Sequence, residues 1–595
     1  MAKSPPGPKI VVWPKLATFF DLRSTPDAVP WGRWRYVQNM TVFDGVWRRR
    51  SGWRRYGWWM TYPDSADLPM AVDVLYQHTH PTGQRRLFAA TATNIYSQAH
   101  DGIWSELGHF DAGDRFQFAS VETMVFATNN LAEPVYQTLD DAPDEDGQAF
   151  HPIPDLQKIA VTKAGMVGSW QGILFFGNVT MDFVQVGHRL LWSDRNNPLK
   201  FEPSTDNVAG FQDLDPGEVI LAGVPMADAF FIFTTRSIWR VTMVGGTFFL
   251  NFQQVYTSRT GSSCLMSRDS LVVWRNTAVY FANDGIYIFN AFATAPEQPA
   301  WLYHATKNIS YIDPNQCRMV VSGLRAVYGE IWFSYPSSDL LTKNDRTVVL
   351  NMDYEAADEV DHGFSALLPV SPDDSMEVAE WLISAGGCSS ADVEELFPGT
   401  SEGRPVIPAQ PVDVEDFCGN PANFPKCDVC PKLERFIVAS TADGALKDVD
   451  LDYFAREYRV SAGVYSAEGY GSRFVTGALH FDKTEWKRLE DVQFDLIVPA
   501  TDEPRDLNLT ISTSATPVDV LAPLCRAKAF VLKPRKLQCP GTGLPADQPN
   551  AHFRWPVLVE GRYLYLDFSV PAVTGGAFQA SRIAVGMGLS PNSTL

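Results

Sequence analysis

The sequence predicts an all-β protein with a β-propeller-like domain, a C-terminal antiparallel β-sandwich and a loop-rich insertion. Aromatic residues make up 12% of the 595 positions, and 42 Gly and 41 Pro accompany them. That mixture favours pleated sheet cut by turns over long helices. Short apolar runs alternate with turn signals through the first half of the chain, with no 3.6-residue amphipathic pattern of helical length to compete. Alternation of polar and apolar residues returns near the C-terminus, as in half-buried strands. At this length more than one structural unit is expected, and a composition of 45% hydrophobic and 20% charged residues is that of a folded chain.

Residues 1–60 read as an N-terminal arm or platform. Arg33, Arg35, Arg48, Arg49, Arg50, Arg54 and Arg55 interleave there with Trp31, Trp34, Trp47, Trp53 and Trp58. Such a pattern can clamp single-stranded nucleic acid by stacking. In so acidic a protein, guanidinium groups stacked on indoles and paired with carboxylates at a subunit or domain contact account for it better. Residues 61–350 read as the propeller-like domain. RRLFAATATNIYSQAHDGIW, FQFASVETMVFATNN, GSWQGILFFGN, AFFIFTTRSIWRVT and TAVYFANDGIYIFN each give strand, polar turn and strand. Hairpins recurring at blade-like spacing are the mark of a propeller, whose small sheets are buried only by their neighbours.

Residues 351–430 read as an acidic, proline-containing, loop-rich insertion, with Asp353, Glu355, Asp358, Glu359 and Asp361, then Asp373, Asp374, Glu377, Glu394 and Glu395. A short helix around ADVEELF, capped by Ser390, is expected within it. Residues 431–595 read as the sandwich, on DLNLTIST and RYLYLDFSV.

The formal net charge of −20 repels phosphate, so tight or base-specific nucleic-acid binding is disfavoured. No apolar run reaches signal-peptide or membrane-span length, which leads to the expectation of a soluble protein made in the cytosol. The eight cysteines, Cys264, Cys317, Cys388, Cys418, Cys427, Cys430, Cys525 and Cys539, form no disulfide framework. Cys418, Cys427 and Cys430 have partial zinc-ligand spacing, and Cys388 could complete four. Zinc ribbons show two CxxC pairs, though, and independent buried thiols or a redox pair are the competing reading.

Asp101-Gly102-Ile103-Trp104 is close to the aspartate box of sialidase blades but lacks its serine and its repetition. Asp448, Asp450 and Asp452 begin like a calcium loop without the glycine and distant glutamate. His78 and His80 belong to no HExxH or Ser-His-Asp pattern. No carboxylate pair stands out for glycoside hydrolysis. The sequence therefore assigns no catalytic, cofactor-binding or metal-ligating residue, and a non-enzymatic protein without cofactors is expected.

Asn39, Gly45, Arg50 and Gly52, followed by LLWSDRNNPLKFEP (190–203), FIFTTRSIWRVT (231–242), FQQVYTSRTGSSC (252–264), YFANDGIYIFN (280–290) and GRYLYLDFSV (561–570), occur in an order that resembles the tail nozzle or tail-tube proteins of short-tailed bacteriophages. The collinearity covers about 260 residues and leaves 351–430 unmatched. The resemblance implies a structural virion protein. Identical subunits, commonly six, would form a ring below the portal and adaptor, alongside tail fibres or spikes. The ring would retain and then conduct DNA through a carboxylate-lined lumen that a polyanion does not stick to. The alternative is a receptor- or glycan-binding tail protein in which Trp555, Arg562 and Tyr563 line a shallow sugar site; the competing placement for these side chains is the sandwich core.

Overall fold

The computed structural model describes residues 9–12 and, with short interruptions, 28–56, 71–370, 435–514, 528–537 and 550–589. The described residues are 62% strand and 5% helix. Six antiparallel blades follow one another along the chain. Blade 1 runs from Val74–Thr79 to Trp104–His109, blade 2 from Gln117–Val121 to His151–Pro152, blade 3 from Val161–Trp170 to Gly210–Asp213 and blade 4 from Ile220–Met226 to Leu250–Thr257. Blade 5 spans Leu271–Trp274 to Gly285–Asn290, and blade 6 spans Val321–Arg325 to Ala356–Val360.

The first strand of each blade is innermost and packs on the first strand of the next. The circle is completed by a closing sheet between blade 6 and blade 1, made of Phe364–Val370, Arg435–Ser440, Leu446–Asp448 and, at its edge, Arg54–Arg55 from far upstream. An N-terminal strand thus ties off the ring.

Blades bury their faces against one another through aromatic contacts. Phe175 of blade 3 stacks on Phe230 of blade 4 at 4.4 Å, and Phe233 of blade 4 meets Tyr280 of blade 5 at 5.4 Å. Gly168 and Gly223 on the facing inner strands make room for this: a Cβ at Gly223 would lie 2.5 Å from Phe230 Cζ. In blades 2 to 5 the inner strand turns back through two residues, the first at positive φ: Glu122 (51°), Gln171 (49°), Ala227 (51°) and Arg275 (56°). This geometry matches the twist of the paired strands.

The sandwich shares its chain with the propeller. One sheet consists of Met40–Phe43, Val46–Arg49, Gln579–Leu589, Lys487–Ile497 and Asn550–Gly561, with Lys9–Val12 also paired to Gln579–Leu589. The other continues directly from blade 6: Ala356–Val360, Trp34–Gln38, Tyr470–Thr476, Tyr563–Val573, Arg505–Ser514 and Lys528–Val531. One core holds Trp34, Trp47, Phe474, Leu489, Ile511, Leu566 and Val585 together with Phe281, Phe333 and Leu350 of blades 5 and 6.

The domain limits accordingly differ from those expected. The limit at 350 falls inside blade 6, and Asp358 and Glu359, read as part of a solvated acidic loop, sit buried on its last strand. Their carboxylates are neutralised by arginines and tyrosines, which a count of acidic residues does not show. Residues 435–448 belong to the propeller and not to the sandwich, and the 1–60 segment supplies strands to both. Residues 371–434, which include the expected ADVEELF helix, lie outside the described residues.

Candidate functional site

Two clusters of arginines dominate the polar interior. The first is the arginine and tryptophan segment near the N-terminus, and it forms the junction between propeller and sandwich. Arg50, almost fully buried, donates to Asp358 through Nη2 (2.5 Å to Oδ1) and Nε (3.2 Å to Oδ2), and to both oxygens of Glu330 at 3.1 Å. Its Nη2 also reaches the Met40 carbonyl, and its plane lies 5.1 Å from the Trp332 ring. Thr41 Oγ1 and Trp332 Nε1 donate to Glu330, and Arg325 stands 3.8 Å from it.

Burial pushes the Asp358 carboxyl up to about 6 despite the adjoining Arg50. Burial also pushes Glu330 up, but Arg50, Arg325 and the donated hydrogen bonds outweigh it and hold that group below the usual range.

Beside this knot Arg456 is wedged between the rings of Trp53 (4.6 Å) and Tyr470 (4.4 Å), pairs with Asp361 at 2.7 Å and donates to Asn39 Oδ1 at 2.9 Å. Asn39 takes φ 55° there and donates its N–H to the Glu359 carbonyl. The stacked and paired arrangement of arginines is thus a domain contact. Trp31 and Trp58 lie outside the described residues.

The second cluster lies at the mouth of the propeller's central channel, where the inner strands begin. Each sheet delivers residues at the same level: Asp73 in blade 1, Asp114 and Arg115 in blade 2, Gly165 in blade 3 and Ile220 in blade 4. Blade 5 adds Arg268 and Asp269, blade 6 adds Arg318, and the closing sheet adds Ser365.

Two guanidinium groups cross-brace the ring. Arg115 donates to the carbonyls of Asp73 and of Ser365 (2.6 Å) and pairs with Asp269 at 3.1 Å, linking four sheets. Arg268 donates to the carbonyls of Gly165 (3.2 Å) and Arg115. Cavities of about 280 Å³ and 350 Å³ flank these braces and share Asp114, Arg115 and Arg318. Burial raises the Asp73 carboxyl, opposed by Arg115 and Lys343.

The larger cavity is also bordered by the blade 6 loop Thr342-Lys343-Asn344. Asn344 is anchored by Nδ2 donating to the carbonyls of Met319 (2.7 Å) and Phe364 (2.9 Å). No motif marked this mouth in the sequence. Its residues fall just before or early in successive inner strands, a signal that appears only once the blades are aligned.

The other sequence candidates are dispersed. His78 is buried, and desolvation lowers it to about 4. Tyr563 is buried next to Tyr565 and does not face a surface groove. Cys264 is a buried thiol that burial raises to about 11. Asp448 is buried in the closing sheet. The side chain of Trp555, together with Arg562, Asp101, Gly102, Asp450, Asp452, Cys388, Cys418, Cys427 and Cys430, lies outside the described residues. Among the described residues no group of three or more His, Cys, Asp or Glu is placed to hold a metal ion, and no helix is long and apolar enough to cross a membrane.

No family model matches the chain, and no curated protein matches it. Several solved structures share short-range similarity. The computationally designed Ika8 protein is 11% identical, with a TM-score of 0.29 over 52% of this chain and 93% of that one. Virginiamycin B lyase from Staphylococcus aureus is 10% identical, with a TM-score of 0.29 over 49% and 86%. AztD from Citrobacter koseri is 10% identical, with a TM-score of 0.27 over 49% and 86%. Likeness at this level carries no functional argument.

Proposed function

We propose that this chain is a non-enzymatic structural subunit of a bacteriophage tail, of the nozzle kind, which assembles into a ring around the DNA exit path. The observation that carries this reading is the welding of its two domains. A single sheet runs from blade 6 into the sandwich, the N-terminal segment adds strands to both, and the Arg50 knot is buried at the joint. Such a body transmits load without hinging, as a part of a pressurised conduit must.

The DNA path in this reading lies between subunits, because the propeller's own channel is cross-braced by Arg115 and Arg268. Apolar side chains for subunit contacts are available at loop tips. Phe183 is 92% exposed at a hairpin tip of blade 3, next to Val184, and Leu340 is 91% exposed on blade 6. The strong net negative charge suits a wall along which a polyanion slides. Ring number, the adaptor and portal as partners, and a place in the virion tail come with the proposal.

The test is the mass of the purified protein in solution, with negative-stain images taken with and without its adaptor. Closed rings with a central opening are expected. A monomer that never joins the adaptor overturns the reading and moves receptor or glycan binding to the front.

A further inference from the structure

The outer edge of blade 4 is finished differently from those of its neighbours. Blade 1 ends in Trp104–His109, which carries Glu106, blade 2 in the two residues His151–Pro152, and blade 3 in Gly210–Asp213, whose Asp213 pairs with Arg189. Glu297 bridges to Ile288 on the last strand of blade 5, and blade 6 runs on into the sandwich. Short strands, prolines, charges and covering segments are the devices that keep a sheet edge from pairing with another chain. Blade 4 uses none of them. It ends in Leu250–Thr257, eight residues of sequence LNFQQVYT with no charge, Pro or Gly. This strand pairs with Ser237–Met243 and, among the described residues, with no other strand.

The ladder fixes which backbone groups face outward. The Val244 N–H donates to the Phe249 carbonyl, so Phe249 is a hydrogen-bonded position. Alternation from there turns Asn251 and Gln253 towards Ser237–Met243 and turns Leu250, Phe252 and Gln254 away from it. Val255 is the extra residue of a bulge between Gln254 and Tyr256, and it ends the regular stretch. The side chains of Asn251 and Gln253 are exposed. Leu250–Gln254 is therefore symmetric about Phe252 in its outward groups, and it matches an inverted copy of itself.

A chain with a net charge of −20 repels a second copy over most of its surface, whereas two such edges meet without any charge between them. We propose that the outer strand of blade 4 is a self-recognition edge, on which Leu250–Gln254 of two copies pair antiparallel about a two-fold axis at Phe252. Phe252 then lies opposite Phe252 of the second copy and Leu250 opposite its Gln254, each such pair exchanging two backbone hydrogen bonds. Asn251 lies opposite Gln253. The two copies face opposite ways, so the pair is a form of the free protein, distinct from the contacts of a one-way ring, and it stands whether or not the tail role does.

The test is sedimentation of the purified full chain, without an adaptor, at about 1–100 μM. A monomer–dimer equilibrium is expected. Asn251→Glu with Gln253→Glu sets like charges directly opposite one another and should weaken the dimer by about 10-fold or more. Asn251→Lys with Gln253→Lys should do the same, and mixing the acidic with the basic variant should restore dimers, a rescue that a damaged fold would not give. Both positions are exposed, so the melting temperature should hold in each variant. Gln254→Pro removes an outward N–H while sparing the blade's own ladder, and should also leave a monomer. The proposal is overturned by any of four results: a monomer throughout the range, closed rings in place of dimers, dimers undiminished in the folded acidic variant, or no rescue on mixing. The second of these leaves the nozzle reading standing.

Discussion

Replacing Arg50 with Met tests the weld between the domains directly. The side chain keeps its approximate length, but the guanidinium that donates to Asp358, Glu330 and the Met40 carbonyl is gone. Glu330 retains donors in Thr41 and Trp332 and the nearby Arg325. Asp358 keeps only the Met40 N–H at 3.2 Å among its described partners. Breaking a buried pair by removing one member costs about 3–5 kcal/mol, because an uncompensated charge is left behind.

Asp358, already raised to about 6, would take up a proton at neutral pH and relieve part of this, which places the expected loss near about 3 kcal/mol. A chain of two domains need not unfold in one step, so the assay is urea denaturation followed by far-UV circular dichroism and by Trp fluorescence. The native protein should give coincident transitions. Arg50→Met should shift the first midpoint down and split the two probes. Adding Asp358→Asn and Glu330→Gln should restore most of the loss, since a neutral set has no stranded charge. A single-variant cost under about 1 kcal/mol with coincident transitions would refute the weld.

Three further outcomes follow from the same geometry. Burial holds His362 near 3 in the folded state against an ordinary 6.5; a depressed imidazole binds protons only on unfolding, so stability falls as pH drops from 6.5 towards 3. That is about 3 kcal/mol by pH 4, opposed between about 6 and 3.8 by the raised Asp358, whose folded form gains the proton first. His362→Gln should flatten the acid loss and Asp358→Asn should steepen it, read from urea midpoints against pH; parallel curves would contradict both assignments. Gly223→Ala places a methyl 2.5 Å from Phe230 Cζ, and Phe230 is held by its stack on Phe175; a loss of about 1–3 kcal/mol is expected in thermal melts, and an unchanged melt would show that the inter-blade gap is wider. If the proposed ring forms, Phe183→Asp should abolish it in light scattering while leaving the monomer's melt unchanged, and rings that persist would remove the hairpin tip from the subunit contact.

The all-β class and the propeller were legible because they rest on strand-length apolar runs and their spacing. The arginine and tryptophan segment was legible as stacking and pairing, though its partners lie some 280 to 420 residues away in sequence and no local pattern names them. Domain limits were not legible. Asp358 and Glu359 look like solvent-facing acids in a linear reading, and only the arrival of Arg50, Tyr36 and Arg346 makes their burial tolerable. The recurrent inner hairpins were also hidden in part. Their turns use Glu122, Ala227 and Arg275 at positive φ where Asn or Gly would have signalled the geometry, so the blade repeat is regular in backbone and irregular in sequence.

That irregularity bears on how the molecule is completed. The closing sheet needs Arg54–Arg55, Phe364–Val370 and Arg435–Asp448 together, and the sandwich needs Met40–Arg49 beside strands that end at Leu589. Neither domain can finish from a contiguous stretch of chain, and loop closure over such separations comes late in folding. The residues at this joint, Arg49, Arg50, Trp53 and Asn39, stack, pair or cap there, so the groups that border the closing sheet are also those that hold the sandwich. A chain that needed its domains to move independently would gain nothing from this coupling. One that must remain a single stiff wedge within a larger assembly depends on it, and the Arg50 variants measure how much.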